Sequence, residues 1–230
     1  MKAYLLDIEG TTTPIDFVHK VLFPYARERV VHFVNANFAA LQTEIAQLAS
    51  EHGSEGLYPS SLETALPESV AAYLAYLIDT DRKSTPLKSI QGKIWRAGYE
   101  AGEIRSQIFD DVAAAFEKWK AAGKTIAIYS SGSVLAQKNL FKYTDHGDLT
   151  CFISKYFDTN VGGKREAASY GKIATELNFR PGDILFVSDI PQELDAAIGS
   201  GLAVRLALRP GNAVVDAPDK YQIIRALTEI

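Results

Sequence analysis

Tyr4-Leu5-Leu6-Asp7-Ile8-Glu9-Gly10-Thr11-Thr12-Thr13 lies at the start of the chain. Tyr4, Leu5 and Leu6 read as a short buried strand, and two carboxylates follow at its carboxyl end. Side chains alternate along a strand, so Asp7 and Glu9 point to the same side. Gly10 permits the sharp exit that the chain then needs. Two acids held together at a buried strand end resist ionising together, and a cation beside them relieves that cost. The arrangement invites Mg²⁺, which in turn invites a phosphate. Taken alone, the same residues also describe two solvated acids in a turn. What decides between the two readings is what the rest of the chain brings to that edge.

Residues 15–105 carry no convincing strand. Phe17, Val21, Leu22, Tyr25, Val30, Phe33 and Val34 recur at helical spacing, with Pro24 expected to kink or interrupt the run. Leu41, Ile45 and Leu48 form a second stripe that stops at Gly53, followed by a loop to Pro59. Pro67 suits a first helical position ahead of Val70, Tyr73, Leu74 and Leu77. Thr85-Pro86 reads as an N-cap and first turn, continued by Leu87, Ile90, Ile94 and Trp95. From Ser106 the pattern alternates. A helix over 109–122 precedes a buried strand over 125–129 that ends in Ser130-Ser131-Gly132-Ser133. A helix follows over 134–143, while 152–157 is ambiguous. Val161-Gly162-Gly163-Lys164 is a loop before a helix over 166–177. The strand over 183–187 ends in Ser188-Asp189-Ile190-Pro191, and a helix follows over 192–198. A strand over 203–207 runs into Arg209-Pro210-Gly211-Asn212, and 221–227 reads as a closing helix. Such alternation predicts an α/β fold with a doubly wound parallel sheet. The expected division is a core from 1–14 and 106–230, interrupted by an all-helical insert over 15–105.

Composition narrows the function classes. The chain has 230 residues, 47% hydrophobic and 23% charged, with a formal net charge of -4. That balance supports a real core and leaves no basic footprint, so no nucleic-acid partner is expected. The single cysteine, Cys151, excludes an internal disulfide, fits a reducing compartment and, lacking Cys or His neighbours at ligand spacing, reads as a buried filler. No apolar run approaches the roughly 18 residues of a membrane span. The N-terminus enters a strand without a signal-peptide pattern. A cytoplasmic enzyme with no membrane partner is the expectation.

In a parallel sheet, ligands sit at the carboxyl ends of the strands. Four polar clusters fall there: Asp7 with Glu9, Ser130 with Ser131, Lys164, and Asp189 with Glu193 one helical turn on. Each also has a plain structural reading. The serines could cap the next helix, Lys164 could be a solvated lysine, and Asp189 with Glu193 could cap the helix near Pro191. Together they supply what phosphoryl transfer needs: a nucleophile, hydroxyl donors, an ammonium and metal-binding carboxylates. His19, His32, His52 and His146 show no ligand-like spacing.

The set resembles the haloacid dehalogenase superfamily of phosphatases. The resemblance implies that Asp7 is the nucleophile and a metal ligand. It gives Glu9 the role of general acid and base, with its backbone carbonyl also reaching the metal, and makes Asp189 the carboxylate that anchors Mg²⁺. Ser130, Ser131 and the backbone of Gly132 would hold phosphate or substrate oxygens, and Lys164 would neutralise the phosphate. Glu193 is a further, outer-shell candidate. The helical insert falls where the superfamily carries a cap domain. Glu9 stands where the superfamily usually has Asp, and an acid at that position argues against dehalogenation.

That departure points closer. Asp7-Ile8-Glu9-Gly10-Thr11-Thr12 and Leu22-Phe23-Pro24-Tyr25 resemble the enolase-phosphatases of methionine salvage, also called acireductone synthases. So do Asp81-Arg82-Lys83-Ser84-Thr85, Gln91-Gly92-Lys93-Ile94-Trp95-Arg96, Tyr129-Ser130-Ser131-Gly132-Ser133 and Arg209-Pro210-Gly211-Asn212. The resemblance implies a monomer that uses Mg²⁺ to enolise and dephosphorylate a small-molecule phosphorylated diketone, 2,3-diketo-5-methylthiopentyl-1-phosphate, to an acireductone. Lys93 and Trp95 are candidate substrate contacts in the insert, although Trp95 also suits plain core. The alternatives are a capped phosphatase of another small ester, a phosphoacceptor signalling domain and a non-catalytic binding module. Receiver domains place the acceptor Asp after a middle strand and carry no large insert after the first, which counts against the signalling reading.

Overall fold

Strand β1 (Ala3–Leu6) is buried along its whole length and lies between two parallel neighbours, β2 (Thr125–Tyr129) and β4 (Ile184–Ser188). Beyond β2 lies β3 (Lys155–Phe157), and beyond β4 lie β5 (Ala203–Ala207) and β6 (Ile223–Ile224). The order is β3-β2-β1-β4-β5-β6, and every pairing is parallel. The runs AYLL, TIAIY and ILFVS are near-continuously apolar, as strands covered on both faces require. The chain builds outward from β1 through β2 and β3, then returns to the other side of β1 at β4. The carboxyl ends of β1 and β4 are therefore the switch point, where open α/β sheets form their binding crevice. The computed structural model describes residues 1–55, 61–82, 84–216 and 220–230.

Both faces of the sheet are covered. Tyr4 stacks on Trp119 of the helix Asp111–Ala121, with ring centroids 3.9 Å apart. Its neighbour Leu5 faces the other way, into a cluster with Tyr170 and Ile173 of the helix Ala167–Leu177 and Leu194 and Ala197 of the helix Pro191–Gly199. The alternation of one buried strand thus anchors helices on opposite faces, giving the doubly wound architecture.

The chain divides into two compact units, Met1–Val18 with Arg105–Ile230, and His19–Ile104. Helix α1 (Ile15–Phe17) and a π-helical turn (Val18–Leu22) lead into α2 (Phe23–Asn37). Pro24 sits in the first turn of α2, where a missing N–H costs nothing, so the interruption comes before it as the π-helical turn. The second unit continues with α3 (Gln42–Glu55), α4 (Pro67–Asp79) and α5 (Thr85–Glu100), and has no strand among the described residues. Helix α3 runs past the expected stop at Gly53. Residues 56–60 of the expected loop lie outside the described residues, as does Lys83. The cap of α5 is Ser84, whose hydroxyl accepts from the Leu87 N–H at 3.2 Å, and not Thr85.

The first unit adds α6 (Asp111–Ala121), α7 (Val134–Lys142), α8 (Ala167–Leu177) and α9 (Pro191–Gly199). Two expectations fail here. The closing helix is instead β6 followed by a 3₁₀ turn at Leu227–Glu229. Tyr221, Ile224 and Leu227 mimic helical spacing. The edge of β5 nevertheless captures the segment, with Leu206 N–H donating to Gln222 C=O at 3.0 Å and Leu208 N–H to Ile224 C=O at 2.9 Å. Cys151 is exposed rather than buried, because it falls in the 3₁₀ turn Thr150–Phe152. No described helix is long and apolar enough to cross a membrane.

Candidate active site

Asp7 leaves β1 at the switch point with its N–H donated to Val187 C=O at 3.0 Å, so β4 fixes where its side chain starts. The loop that follows winds around one carbonyl. Ile8 C=O accepts from the N–H groups of Thr11, Thr12 and Thr13 at 3.2, 2.9 and 2.9 Å. Gly10 makes this possible with a φ of 68°, a left-handed conformation that glycine adopts without penalty. All three threonines are buried. The Thr12 hydroxyl lies within reach of Asp7 C=O at 3.2 Å and Ile8 C=O at 3.3 Å, which ties the loop to the strand end.

Lys164 reaches this point from the glycine loop ahead of α8. Three hydroxyls hold that loop by its carbonyls: Tyr129 to Gly162 at 2.8 Å, Ser169 to Gly163 at 2.9 Å and Tyr170 to Lys164 at 2.7 Å. The Lys164 ammonium then lies 2.6 Å from Asp7 Oδ1 and 2.7 Å from Glu193 Oε2. Ser188, the last residue of β4, completes the cluster. Its hydroxyl is 3.2 Å from Asp7 Oδ2 and 2.9 Å from Glu193 Oε2, with one proton to share, and accepts from Ile190 N–H at 3.1 Å. Ser188 has no place in the sequence reading. Its only signal there is its position, one residue before an acid at a strand end.

The local electrostatics are unbalanced. Asp7, Asp189, Glu193 and Lys164 are all buried or nearly so, three carboxylates against one ammonium. Burial pulls the Lys164 ammonium down, but Asp7 and Glu193 outweigh it and hold it above the ordinary lysine value. Desolvation, followed by the charge of Asp7, pushes Asp189 up to about 7. The same two causes raise Glu193 against the pull of Lys164. The site holds more negative charge than its own lysine balances.

The plain structural readings fare unevenly. Helix α7 is capped by Ser133, whose hydroxyl accepts from Ala136 N–H at 3.3 Å, so Ser130 and Ser131 are not its caps. Ser130 is buried and accepts from Gly132 N–H at 3.1 Å, while Ser131 is exposed. Gly132 C=O accepts from the Gln137 side chain at 2.8 Å. Helix α9 begins after Ile190 without any side-chain cap, so Asp189 and Glu193 are not capping residues. Lys164 is no solvated lysine, with its side chain only 10% exposed. Glu9 is half-buried two residues beyond Asp7 and bridges Thr13 through the backbone. Lys93 and Trp95 lie in the helical unit. Trp95 is buried and donates to Leu22 C=O at 2.7 Å, whereas Lys93 pairs with Glu44 at 2.5 Å.

Known proteins share this arrangement of sequence and fold. Residues 1–201 match the family model of haloacid dehalogenase-like hydrolases. The chain is 55% identical to Enolase-phosphatase E1 of Synechococcus elongatus over 219 residues, covering 94% of this chain and 92% of the relative. It is 49% identical to Enolase-phosphatase E1 of Leptospira borgpetersenii over 210 residues, covering 91% and 90%. The chain belongs to the enolase-phosphatase E1 family. Among solved structures, the Unknown transcript 4 protein of Saccharomyces cerevisiae superposes with a TM-score of 0.80 at 36% identity, over 98% of this chain and 97% of that one. This enolase-phosphatase is thus a phosphatase, and such enzymes generally use a divalent metal.

The residues fit such an ion. The donors are hard carboxylate oxygens, Asp7 and Asp189, at adjacent strand ends, and the surplus negative charge is what a dication would balance. Gly10 leaves the approach open: a Cβ there would lie 2.4 Å from Asp189 Oδ2. Among the described residues, no group of three or more His, Cys, Asp or Glu side chains is arranged to hold a metal by itself. Two hard carboxylate donors at adjacent strand ends suit an ion that retains waters beside one or two carboxylates.

Proposed function

We propose that this enolase-phosphatase uses Mg²⁺ to convert 2,3-diketo-5-methylthiopentyl-1-phosphate to 1,2-dihydroxy-3-keto-5-methylthiopentene and phosphate in methionine salvage, through an aspartyl phosphate on Asp7. The observation that carries the reading is the Lys164 ammonium held against Asp7 Oδ1 at 2.6 Å, at the end of β1 and beside the end of β4, which Asp189 follows. A buried ammonium beside a carboxylate both aims the carboxylate and supplies positive charge for phosphoryl oxygens.

Asp7 Oδ attacks phosphorus as the ester P–O bond breaks, and Glu9 delivers a proton to the departing oxygen. Glu9 then takes a proton from the water that attacks the aspartyl phosphate, which releases phosphate and restores Asp7. Asp7, the Glu9 carbonyl and Asp189 would hold Mg²⁺, which when bound balances phosphate charge and supports the enolate oxygen. Ser130, Ser131 and Gly132 N–H bind phosphate or substrate oxygens, for which Gly132 N–H must leave Ser130. In the enolisation step Glu9 removes the proton from the carbon that bears the phosphate ester. Its side chain is one methylene longer than the superfamily's Asp and so reaches both that carbon and the ester oxygen. The helical unit serves as the substrate-selecting cap, and the enzyme acts as a cytoplasmic monomer.

The test is incubation with the diketo phosphate and Mg²⁺, following phosphate release and identifying the acireductone by NMR. Sugar phosphates and an aryl phosphate are the comparison substrates. A higher kcat/KM on a sugar phosphate, with no acireductone from the diketo phosphate, would overturn the substrate assignment and leave a phosphatase of another ester.

A further inference from the structure

The loop after β5, Arg209-Pro210-Gly211-Asn212, has no part in the reaction as described, yet it is bound to the nucleophile loop at two successive carbonyls. Arg209 is buried. Its guanidinium donates to Thr11 C=O at 3.0 Å, to Arg225 C=O at 2.6 Å and, as a fork, to both oxygens of Asp111 at 2.8 Å each. Asn212 turns back under it, with its N–H on Arg209 C=O at 3.2 Å. Its side-chain nitrogen donates to Gly10 C=O at 2.9 Å and to Ala207 C=O at 3.3 Å.

Those two carbonyls settle which way the amide faces, because a flipped amide would aim its oxygen at two other oxygens. Asn212 Oδ1 therefore points away from them, and it is buried with no hydrogen-bond partner among the described residues. Its surroundings say what it faces. A Cβ on Gly10 would lie 2.4 Å from Asp189 Oδ2 and 2.9 Å from Asn212 Oδ1. The unsatisfied amide oxygen and the carboxylate thus border the same small space beside Gly10. A buried acceptor left unpaired is costly and calls for a donor.

We propose that Asn212 is a positioning residue in the outer sphere of the divalent cation, its Oδ1 accepting a hydrogen bond from a water of the cation's shell beside Asp189. This rests on the metal reading given under Proposed function. A water on a dication is a strong donor that seeks a fixed acceptor, and Arg209 holds the turn that presents one. Outer-sphere partners of this kind set metal affinity as well as activity.

Mn²⁺ binding to the full chain, followed by electron paramagnetic resonance, tests this without turnover. Asn212→Ala should weaken Mn²⁺ binding by about ten- to a hundredfold. Asn212→Asp keeps the volume and an oxygen but loses the donor to Gly10, so it should melt at a lower temperature while binding Mn²⁺ as tightly as the parent or more tightly. A residue that acted only by tying down Gly10 would weaken binding in both variants together, and that result would overturn the proposal. So would Asn212→Ala binding Mn²⁺ with unchanged affinity. If Asn212→Ala does not fold, the near-isosteric Asn212→Asp decides alone: retained affinity supports the assignment and weakened affinity removes it. Asp189→Ala is the separate control. Parent-like Mn²⁺ affinity in that variant would strike down the metal reading itself, whatever Asn212 does.

Discussion

Replacing Lys164 by methionine keeps an unbranched side chain of similar reach and removes one charge. Among the described residues nothing else positive lies in contact with Asp7 or Glu193, so the substitution leaves the two carboxylates that Lys164 joins, at 2.6 and 2.7 Å, without that counter-ion and with Asp189 close by. Two consequences follow with separate magnitudes. For the reaction, one preorganised electrostatic contact to the transferring phosphoryl group is lost, which costs about a hundredfold or more in turnover. For the fold, breaking a buried pair by removing one partner costs about 3–5 kcal/mol when the remaining charge has no other relief. Here the relief is partial, since Glu193 already has a raised pKa and can take up a proton. The stability loss should therefore fall at or below the lower end of that range, and a divalent cation should recover part of it by mass action.

Steady-state phosphate release gives the first quantity, and urea unfolding with and without Mg²⁺ gives the second. A turnover loss of only two- or threefold would refute the reasoning. The contacts of Lys164 would then be a structural ion pair with no hold on the phosphate. A full turnover loss with unchanged stability would show instead that the buried carboxylates had protonated completely, which a shift of the unfolding midpoint with pH would reveal.

Ser188→Ala removes a hydroxyl shared by Asp7 and Glu193. A hydrogen bond to a charged group is worth about 1.5–3 kcal/mol, so kcat should fall roughly ten- to a hundredfold with KM little changed. A variant with parent kcat would reduce Ser188 to packing. Asp7→Asn should still exchange the C1 hydrogens of the diketo phosphate with deuterated water while releasing no phosphate, whereas Glu9→Gln should lose both processes. Proton NMR alongside a phosphate assay reads the two, and rapid exchange in Glu9→Gln would remove Glu9 as the enolising base. In the helical unit, burial pushes Glu44 up, but hydrogen bonds from Lys93 and Ser89 outweigh it and hold the carboxyl below its ordinary 4.5. Because the folded value is depressed, its stabilisation is present above about pH 4.5 and lost as the pH falls through the lower folded value. The stability gap between the parent and Glu44→Gln should therefore close on acidification, and a gap constant down to pH 3 would refute the pairing.

What the sequence made legible, and what it hid, follows from how far apart the deciding residues lie. The sheet's central strands are apolar runs long enough to show themselves, and the polar residues that break them off mark the strand ends without any tertiary knowledge. Asp7, Ser130 and Asp189 are of that kind. The edge strands are not: β3 has three residues and β6 two, too few for a period-two signal, and the helical spacing of Tyr221, Ile224 and Leu227 outweighed them. Residue type also misled where a local role had two adjacent candidates, as when Ser84 rather than Thr85 capped α5.

The deeper omissions are relational. Ser188 reads as the end of a strand until Asp7, 181 positions earlier, is found within reach of its hydroxyl. The amide of Asn212 reads as turn chemistry until its partner proves to be the Gly10 carbonyl, 202 positions away. Composition cannot show that two carboxylates share one ammonium with a third acid close by, because the imbalance exists only after β1 and β4 pair. Once they do, the excess charge is expensive in a dry crevice, and nothing in the packing of the sheet requires it. Removing the carboxylates would stabilise such a fold more readily than keeping them. Their presence together at the switch point is therefore better explained by what the crevice must bind than by how the chain folds.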